Sequence, residues 1–131
     1  MYLLDTNICV ALMQGNPATV AKFDPKSTEC YLPTIVLAEL YKGVYCSRQM
    51  EKNLSEVNLF VREMEIVPFD SDAAAEFGII QGELRRMGRP TGELDALIAA
   101  VARARGDILV THNTRDFINI PGLQLEDWLI R

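Results

Sequence analysis

Short apolar runs alternate with longer amphipathic stretches along this chain. The runs lie at residues 2–5, 29–32, 66–69, 108–111 and 123–125. The run at 108–111 is the clearest, because Ile, Leu and Val follow one another there as in a central strand covered on both faces. Strands that alternate with helices predict an α/β fold, a three-layer sandwich with a central parallel sheet.

Between these runs, apolar residues recur at helical spacing. We expect helices at residues 7–13, 17–23, 35–45, 48–64, 71–87 and 94–105, and a helical turn at 114–117. Thr34 and Asp70 suit the N-cap position, and Gly106 suits a C-terminal stop. Ser47 separates two long helices, which predicts a helical hairpin. Residues 24–27 are expected to form a turn.

The chain has the size and composition of one domain. Its 131 residues with 49% hydrophobic content supply a core that is stable without a metal or a disulfide, so we expect a single domain over residues 1–131. Cys9, Cys30 and Cys46 are widely spaced in apolar sequence, which predicts buried thiols in a reducing compartment. The sequence has no signal-peptide pattern and no apolar run of membrane-spanning length, so we expect a cytoplasmic protein.

The charge balance argues against a generic nucleic-acid coat protein. The chain carries 13 basic and 18 acidic residues, a net charge of −5, whereas such binding draws on surplus Lys and Arg. Acids that share a metal site would be neutralised locally, so the count does not exclude an RNA or DNA substrate. The candidate contacts to a phosphate backbone are basic residues in the second half of the chain: Arg85, Arg86, Arg89 and Arg115.

Four acidic residues stand at positions that favour chemistry. Asp5 ends the first strand, and ligands of parallel α/β sheets collect at the carboxyl ends of strands. Glu39 interrupts an apolar helix. Asp95 and Asp116 fall in first helical turns, where the helix dipole favours an anion. Because carboxylate oxygens are the ligands that hard divalent cations prefer, acids that converge in space would suit Mg²⁺.

Three of these acids, and His112, also have a purely structural interpretation. Asp95 and Asp116 are common residue types at helix starts. Glu39 could form a surface pair with Lys42, three positions later. His112, beside Thr111 at the end of a strand, could contact substrate or only support the fold.

The order and spacing of several motifs resemble the PIN-domain ribonucleases, and within them the VapC toxins of bacterial and archaeal toxin–antitoxin pairs. The motifs are Leu4-Asp5-Thr6-Asn7, the Glu39 helix after Pro33-Thr34, the Leu94-Asp95-Ala96-Leu97-Ile98-Ala99-Ala100 helix, Leu109-Val110-Thr111-His112-Asn113 with Asp116-Phe117, and the closing Ile120-Pro121-Gly122-Leu123 with Glu126-Asp127-Trp128. The resemblance spans almost the whole chain, as one PIN domain.

The resemblance implies a function for the acids. It implies that Mg²⁺ or Mn²⁺ is held by Asp5, Glu39, Asp95 and Asp116. Polar support would come from Asn7, Thr111 and Asn113. The implied reaction is endonucleolytic hydrolysis of single-stranded RNA that leaves 5′-phosphate and 3′-hydroxyl ends, with water activated by the metal. A VapB-type antitoxin that covers the helical hairpin, and a homodimer, are implied as well.

Two other functions remain open. A non-catalytic binding module could keep a PIN-like fold, since a fold alone does not prove activity. An aspartyl-phosphate protein, either a receiver domain or a haloacid-dehalogenase-type phosphatase, could use Asp5 as its phosphate acceptor. The phosphatase pattern needs a second Asp where Asn7 stands, and both patterns need a Lys near His112-Asn113. Retention of all four acids favours the nuclease.

Overall fold

A parallel five-stranded sheet forms the centre of the molecule. The computed structural model describes residues 1–130, in which the strand order is β3-β2-β1-β4-β5. The strands are β1 (Tyr2–Leu4), β2 (Cys30–Pro33), β3 (Glu65–Val67), β4 (Ile108–Val110) and β5 (Gln124–Glu126). β1 pairs with β2 on one side and with β4 on the other, with Leu4 opposite Val110. The chain therefore reverses its direction of sheet growth at β1, which opens a crevice at the carboxyl ends of β1 and β4.

Helices flank this sheet, which confirms the predicted α/β sandwich. They are α1 (Thr6–Met13), α2 (Pro17–Phe23), α3 (Thr34–Tyr45), α4 (Met50–Arg62), α5 (Ser71–Met87) and α6 (Glu93–Arg105). α3 packs on α4 as the predicted hairpin, and α5 packs on α6. Gly88 and Gly106 end α5 and α6 in the left-handed conformation, with φ of 65° and 70°, which a residue without Cβ adopts at little cost.

The core lies between the sheet and the helices. The side chains of Leu3, Leu4, Leu32, Leu109 and Val110 are fully buried in it, as expected for short strands covered on both faces. α6 supplies small residues to this core, since Ala96, Ala99, Ala100 and Ala102 are buried as well. Such small side chains allow a helix to approach the sheet closely.

A polar clamp joins α5, α6 and the segment before β5. The Arg103 guanidinium of α6 donates to Glu76 at 2.9 Å, to Glu83 at 2.9 Å and to the carbonyl oxygen of Pro121 at 3.0 Å. Glu76 and Glu83 both belong to α5. The Arg103 contacts raise the pKa of its guanidinium and lower that of Glu83. The Arg103 side chain therefore links α5, α6 and the segment before β5.

The structure corrects several local expectations. Residues predicted as a turn form a 3-10 helix at Asp24–Glu29. Thr34 is the first residue of α3 and not its cap, and its hydroxyl accepts a hydrogen bond from the backbone of Phe69. Cys9 and Cys30 are buried as expected, but Cys46 is exposed; all three thiols are free. The Asp70 cap is confirmed by its bond from the Ala73 N–H at 2.9 Å. Within residues 1–130, no helix is long and apolar enough to cross a membrane.

Candidate functional site

Asp5 is the most deeply buried acid of the candidate site. It follows β1, caps α1 and has 5% of its surface exposed. Its Oδ1 accepts the Thr6 N–H at 2.8 Å, and its Oδ2 accepts the Thr111 hydroxyl at 2.7 Å. Thr111 is fully buried and directly follows β4. Adjacent parallel strands thus deliver an acid and its donor to the same end of the sheet.

Glu39 reaches the same edge from α3. Its Oε1 accepts the hydroxyl of Thr6 at 2.8 Å, so Thr6 bonds to Asp5 through its backbone and to Glu39 through its side chain. Lys42 attracts Glu39 through space, but no ion pair joins them in residues 1–130. The structure therefore favours a site residue over the surface pair that the sequence left open.

Asp95 and Asp116 lie on the other side of the crevice. Asp95 is in the first turn of α6, and Asp116 ends a 3-10 helix at Thr114–Asp116. Both line a polar cavity of about 260 Å³ with Arg89 and Arg115. The Thr91 hydroxyl donates to the backbone carbonyl of Asp116 at 2.9 Å. This bond joins the loop before α6 to the segment after β4 that carries Asp116.

The acids affect one another electrostatically. Burial, followed by the charges of Asp116, Asp5 and Glu39, raises the pKa of Asp95 to about 6. Burial likewise raises the pKa of Asp5, against the bonds from Thr111 and Thr6, and Asp116 adds to the increase. Burial and the charge of Asp5 raise the pKa of Glu39. The four acids therefore share one electrostatic environment, in which added protons or cations are favoured.

The crevice is open and not a closed cage. Within residues 1–130, no group of three or more Asp, Glu, His or Cys side chains is arranged closely enough to coordinate a metal ion as it stands. The donor set still fits Mg²⁺, because this ion usually takes one or two carboxylates and fills its other positions with water and phosphate oxygens. The raised pKa values of Asp5, Glu39 and Asp95 are the further reason why a cation suits this position.

The three residues expected to support the acids lie beside them. The Asn7 side chain lowers the pKa of Asp5, and its Oδ1 accepts the backbone N–H of His112 at 3.0 Å. The backbone N–H of Asn113 donates to the Thr111 hydroxyl at 3.1 Å. Thr111 thus accepts from Asn113 while it donates to Asp5. Asn113 supports the site with its main chain.

The four candidate phosphate contacts separate into two pairs. Arg89 and Arg115 line the cavity beside Asp95 and Asp116. Arg85 and Arg86 are exposed in the last turn of α5 and are not among the residues that line it. Their grouping in the sequence did not distinguish the two pairs, because Arg85 and Arg86 belong to α5 whereas Arg89 follows Gly88, where the helix ends.

Three polar residues of the site were not singled out from the sequence. Thr6 bridges Asp5 and Glu39, Thr91 holds the Asp116 segment, and Asp127 binds His112 at 3.0 Å. A threonine directly after a strand-end Asp, at the start of a helix, is a signal that could have identified Thr6. The Asp127 contact depends on a separation of 15 positions, for which the sequence offers no local sign.

A second cleft adjoins the acids on the hairpin side. It has a volume of about 300 Å³ and runs from Thr6 and Glu39 along α1, α3 and α4. Its apolar lining is Val10, Met13, Leu40, Val44 and Val57. An apolar groove that opens onto a carboxylate cluster is suited to an extended or helical segment carrying a basic side chain.

The comparison with known proteins agrees with this arrangement. The profile of the PIN domain matches residues 2–123 of the chain. The chain belongs to the PIN-domain family. The predicted PIN-like fold is therefore confirmed, and the acids described above occupy the crevice of a PIN domain.

Relatives named VapC place the chain within the VapC group of the PIN-domain family. The tRNA(fMet)-specific endonuclease VapC of Shigella flexneri is 40% identical over 97% of each chain. DNA-bound VapBC from Salmonella typhimurium matches with a TM-score of 0.92 and 37% identity, over 97% of each chain. VapBC2 from Rickettsia felis, bound to a DNA fragment from its promoter, matches with a TM-score of 0.91 and 35% identity over 97% of this chain and 98% of that chain.

Proposed function

We propose that this PIN-domain protein is a metal-dependent endoribonuclease, the toxin of a toxin–antitoxin pair. The observation that carries the proposal is the convergence of Asp5, Glu39 and Asp95 on one crevice, where burial and neighbouring acidic charges raise the pKa of each. The VapC endonucleases of Shigella flexneri and Salmonella typhimurium, 40% and 37% identical to this chain, support the same activity. Since those of Shigella flexneri and Salmonella typhimurium are named as specific for tRNA(fMet), we propose structured RNA of the tRNA class as the substrate.

The residues that would hold Mg²⁺ or Mn²⁺ are Asp5, Asp95 and Asp116, with Glu39 at the edge of the crevice. A bound ion lowers the pKa of its water and stabilises the negative charge that develops on the departing oxygen. The Thr111 hydroxyl and the Thr6 N–H hold the Asp5 carboxylate in one orientation, at 2.7 and 2.8 Å. Thr6 fixes Glu39 at 2.8 Å. Such fixed ligands lose little entropy when a metal binds.

Arg89 and Arg115 would bind the RNA backbone. Both line the cavity that contains Asp95 and Asp116, and a planar guanidinium binds phosphate oxygens in pairs. The net charge of −5 makes such local positive groups necessary for an anionic substrate. Arg85 and Arg86, which lie outside the cavity, would contact only a longer RNA.

The decisive experiment compares purified protein on tRNA and on other structured RNAs, with Mg²⁺ and with a chelator. Asp5→Asn should abolish cleavage, while Asp72→Asn, at an exposed acid in the first turn of α5, should leave it unchanged. The products should carry 5′-phosphate and 3′-hydroxyl ends. Equal cleavage in chelator, or a 2′,3′-cyclic phosphate product, would contradict the metal mechanism. RNA binding without cleavage under every condition would instead support a silent PIN-like binding module.

The antitoxin would bind the apolar cleft next to the acids. Of the apolar residues of α3, Leu40 and Val44 line this cleft, whereas Ile35 packs against the core and Tyr45 is 61% exposed. The solved VapBC structures named above are of paired proteins, which supports a VapB-type partner here. A basic side chain on that partner would reach the acidic crevice at the end of the cleft that is lined by Thr6 and Glu39.

We also propose that two copies associate, as the resemblance implied. Exposed apolar side chains that suit a contact with a second copy include Tyr45, Met50 and Leu59. Light scattering of the purified protein should give the mass of a dimer. A mass of 14.7 kDa, that of a single chain, over a wide concentration range would contradict this part of the proposal.

A further inference from the structure

His112, the single histidine of the sequence, stands at the edge of the crevice. Its backbone N–H donates to the Asn7 side chain at 3.0 Å, and Asn7 lies two positions after Asp5. The preceding residue, Thr111, donates to Asp5 at 2.7 Å. His112 is therefore held near the acids by the hydrogen bond of its own backbone N–H and by that of the preceding Thr111 side chain.

Asp127 fixes the ring of His112. Its Oδ2 lies 3.0 Å from Nδ1, and its Oδ1 accepts the Leu129 N–H at 2.9 Å. The Asp127 side chain is 9% exposed and the His112 side chain 54% exposed. Because an ionised carboxylate can only accept, Nδ1 carries the hydrogen of this bond. In the neutral ring, Nε2 then carries a lone pair and acts as an acceptor.

We propose that Nε2 of His112 accepts a hydrogen bond from the 2′-hydroxyl of a substrate ribose, and so contributes to the selection of RNA over DNA. This inference rests on the proposed ribonuclease function. Phosphate oxygens only accept, so a neutral ring held in this tautomer offers them nothing. Every ribonucleotide instead carries a 2′-hydroxyl donor, which is the group that distinguishes RNA from DNA at a protein site. Arg89 and Arg115 remain for the phosphates.

The test is a double-mutant cycle between protein and substrate. Short RNAs that each carry one 2′-deoxynucleotide near the cleavage position are compared on the wild type and on His112→Asn. Asparagine can keep the bond to Asp127 but has no atom at the Nε2 position. For the wild type, one deoxy position should weaken binding and raise KM by about threefold to tenfold, the range expected for one hydrogen bond. His112→Asn should lose this discrimination, with kcat little changed.

A second variant distinguishes loss of the proposed contact from misfolding of His112→Asn. His112→Gln, whose amide reaches the Nε2 position, should restore part of the deoxy penalty. The cycle is also measured as equilibrium binding by fluorescence anisotropy in chelator, which needs no cleavage. An equal deoxy penalty in the wild type and His112→Asn would overturn the inference, as would failure of the RNA to bind the wild type.

Two further outcomes would show that His112 contacts a part of the RNA other than the ribose. One outcome is that His112→Asn becomes insensitive to removal of a base amino group but stays sensitive to removal of the 2′-hydroxyl. In that case His112 contacts a base and the inference is wrong. If His112→Asn weakens all substrates equally and reduces the salt dependence of binding, the contact is to phosphate and the inference is also wrong. Failure of the proposed function has a different signature, since the wild type would then bind RNA without metal-dependent cleavage.

Discussion

At the scale of single residues, the crevice depends on threonine hydroxyls that orient carboxylates. Thr111 is fully buried and makes one donated and one accepted hydrogen bond, to Asp5 and from the Asn113 N–H. Thr6 makes the corresponding link between Asp5 and Glu39. A buried polar group is costly unless it is hydrogen-bonded, so the Thr111 hydroxyl and the Asp5 carboxylate stabilise each other.

The first prediction concerns Thr111→Val, which removes the hydroxyl while keeping nearly the same shape. Asp5 would lose its donor in a buried position, and the free energy of unfolding should fall by about 1–3 kcal/mol. Denaturant unfolding of the metal-free protein at neutral pH measures this. The matched control is Thr28→Val, at an exposed threonine of the 3-10 helix, which should change stability little. Equal stability of the two variants would show that the bond to Asp5 contributes nothing.

The second prediction concerns the pH dependence of Asp95. Because its pKa is raised from 3.8 to about 6, the folded protein binds a proton more tightly than the unfolded chain does. The Asp95 contribution to the free energy of unfolding is therefore present at low pH and is lost as pH rises from about 4 to about 6. Asparagine is neutral throughout. The stability of Asp95→Asn relative to the wild type should thus increase over this window, without metal; a constant difference would contradict the assignment.

At the scale of secondary-structure elements, the convergence of Asp5 and Thr111 could be predicted from the sequence. Both follow apolar runs, and the ends of neighbouring parallel strands meet at one edge. Glu39 could be predicted as well, because an acid in an apolar helix needs a partner. The difference between Arg86 and Arg89 could not, since it depends on how α5 is rotated and where Gly88 ends it. Contacts such as His112 to Asp127 depend on tertiary packing alone.

The third prediction uses Gly43 in the middle of α3. Gly43 lines the apolar cleft, and a Cβ there would meet no atom within 4 Å. Gly43→Arg should therefore fold normally, because a helix interior favours other residues over glycine. The long side chain would fill the cleft, and we expect binding of a cognate VapB-type antitoxin to weaken by at least about tenfold, or 1.4 kcal/mol.

Co-purification with the antitoxin, followed by titration, measures this effect. Gly78→Arg is the control, since Gly78 is also exposed within a helix and has open space around its Cβ position, but lies on α5 away from the cleft. Undiminished antitoxin binding by Gly43→Arg would place the partner on another surface. Weaker binding by both variants would indicate a general effect of added arginine.

At the scale of the whole molecule, the acids join segments that are far apart along the chain. Asp5 follows β1, Glu39 lies in α3, Asp95 begins α6, and Asp116 follows β4. Their mutual repulsion in the absence of a cation therefore opposes the final packing of the fold and not only a local contact. A cation in the crevice would remove this repulsion and would bind the folded chain in preference to the unfolded one.

The last prediction is that Mg²⁺ stabilises the folded protein, apart from any effect on catalysis. At about 100 times the dissociation constant, a ligand that binds only the folded state adds about 2.7 kcal/mol. Because bound carboxylates must be ionised, and the pKa of Asp95 is about 6, the increase in melting temperature should be larger at about pH 7.5 than at about pH 5. Asp95→Asn should reduce it, whereas Asp72→Asn should retain it. Monovalent salt at equal ionic strength separates binding from screening, since it screens the charges of the acids without supplying a divalent ion to the crevice. A shift that monovalent salt reproduces, or that Asp95→Asn leaves unchanged, would mean that the four acids do not hold the ion.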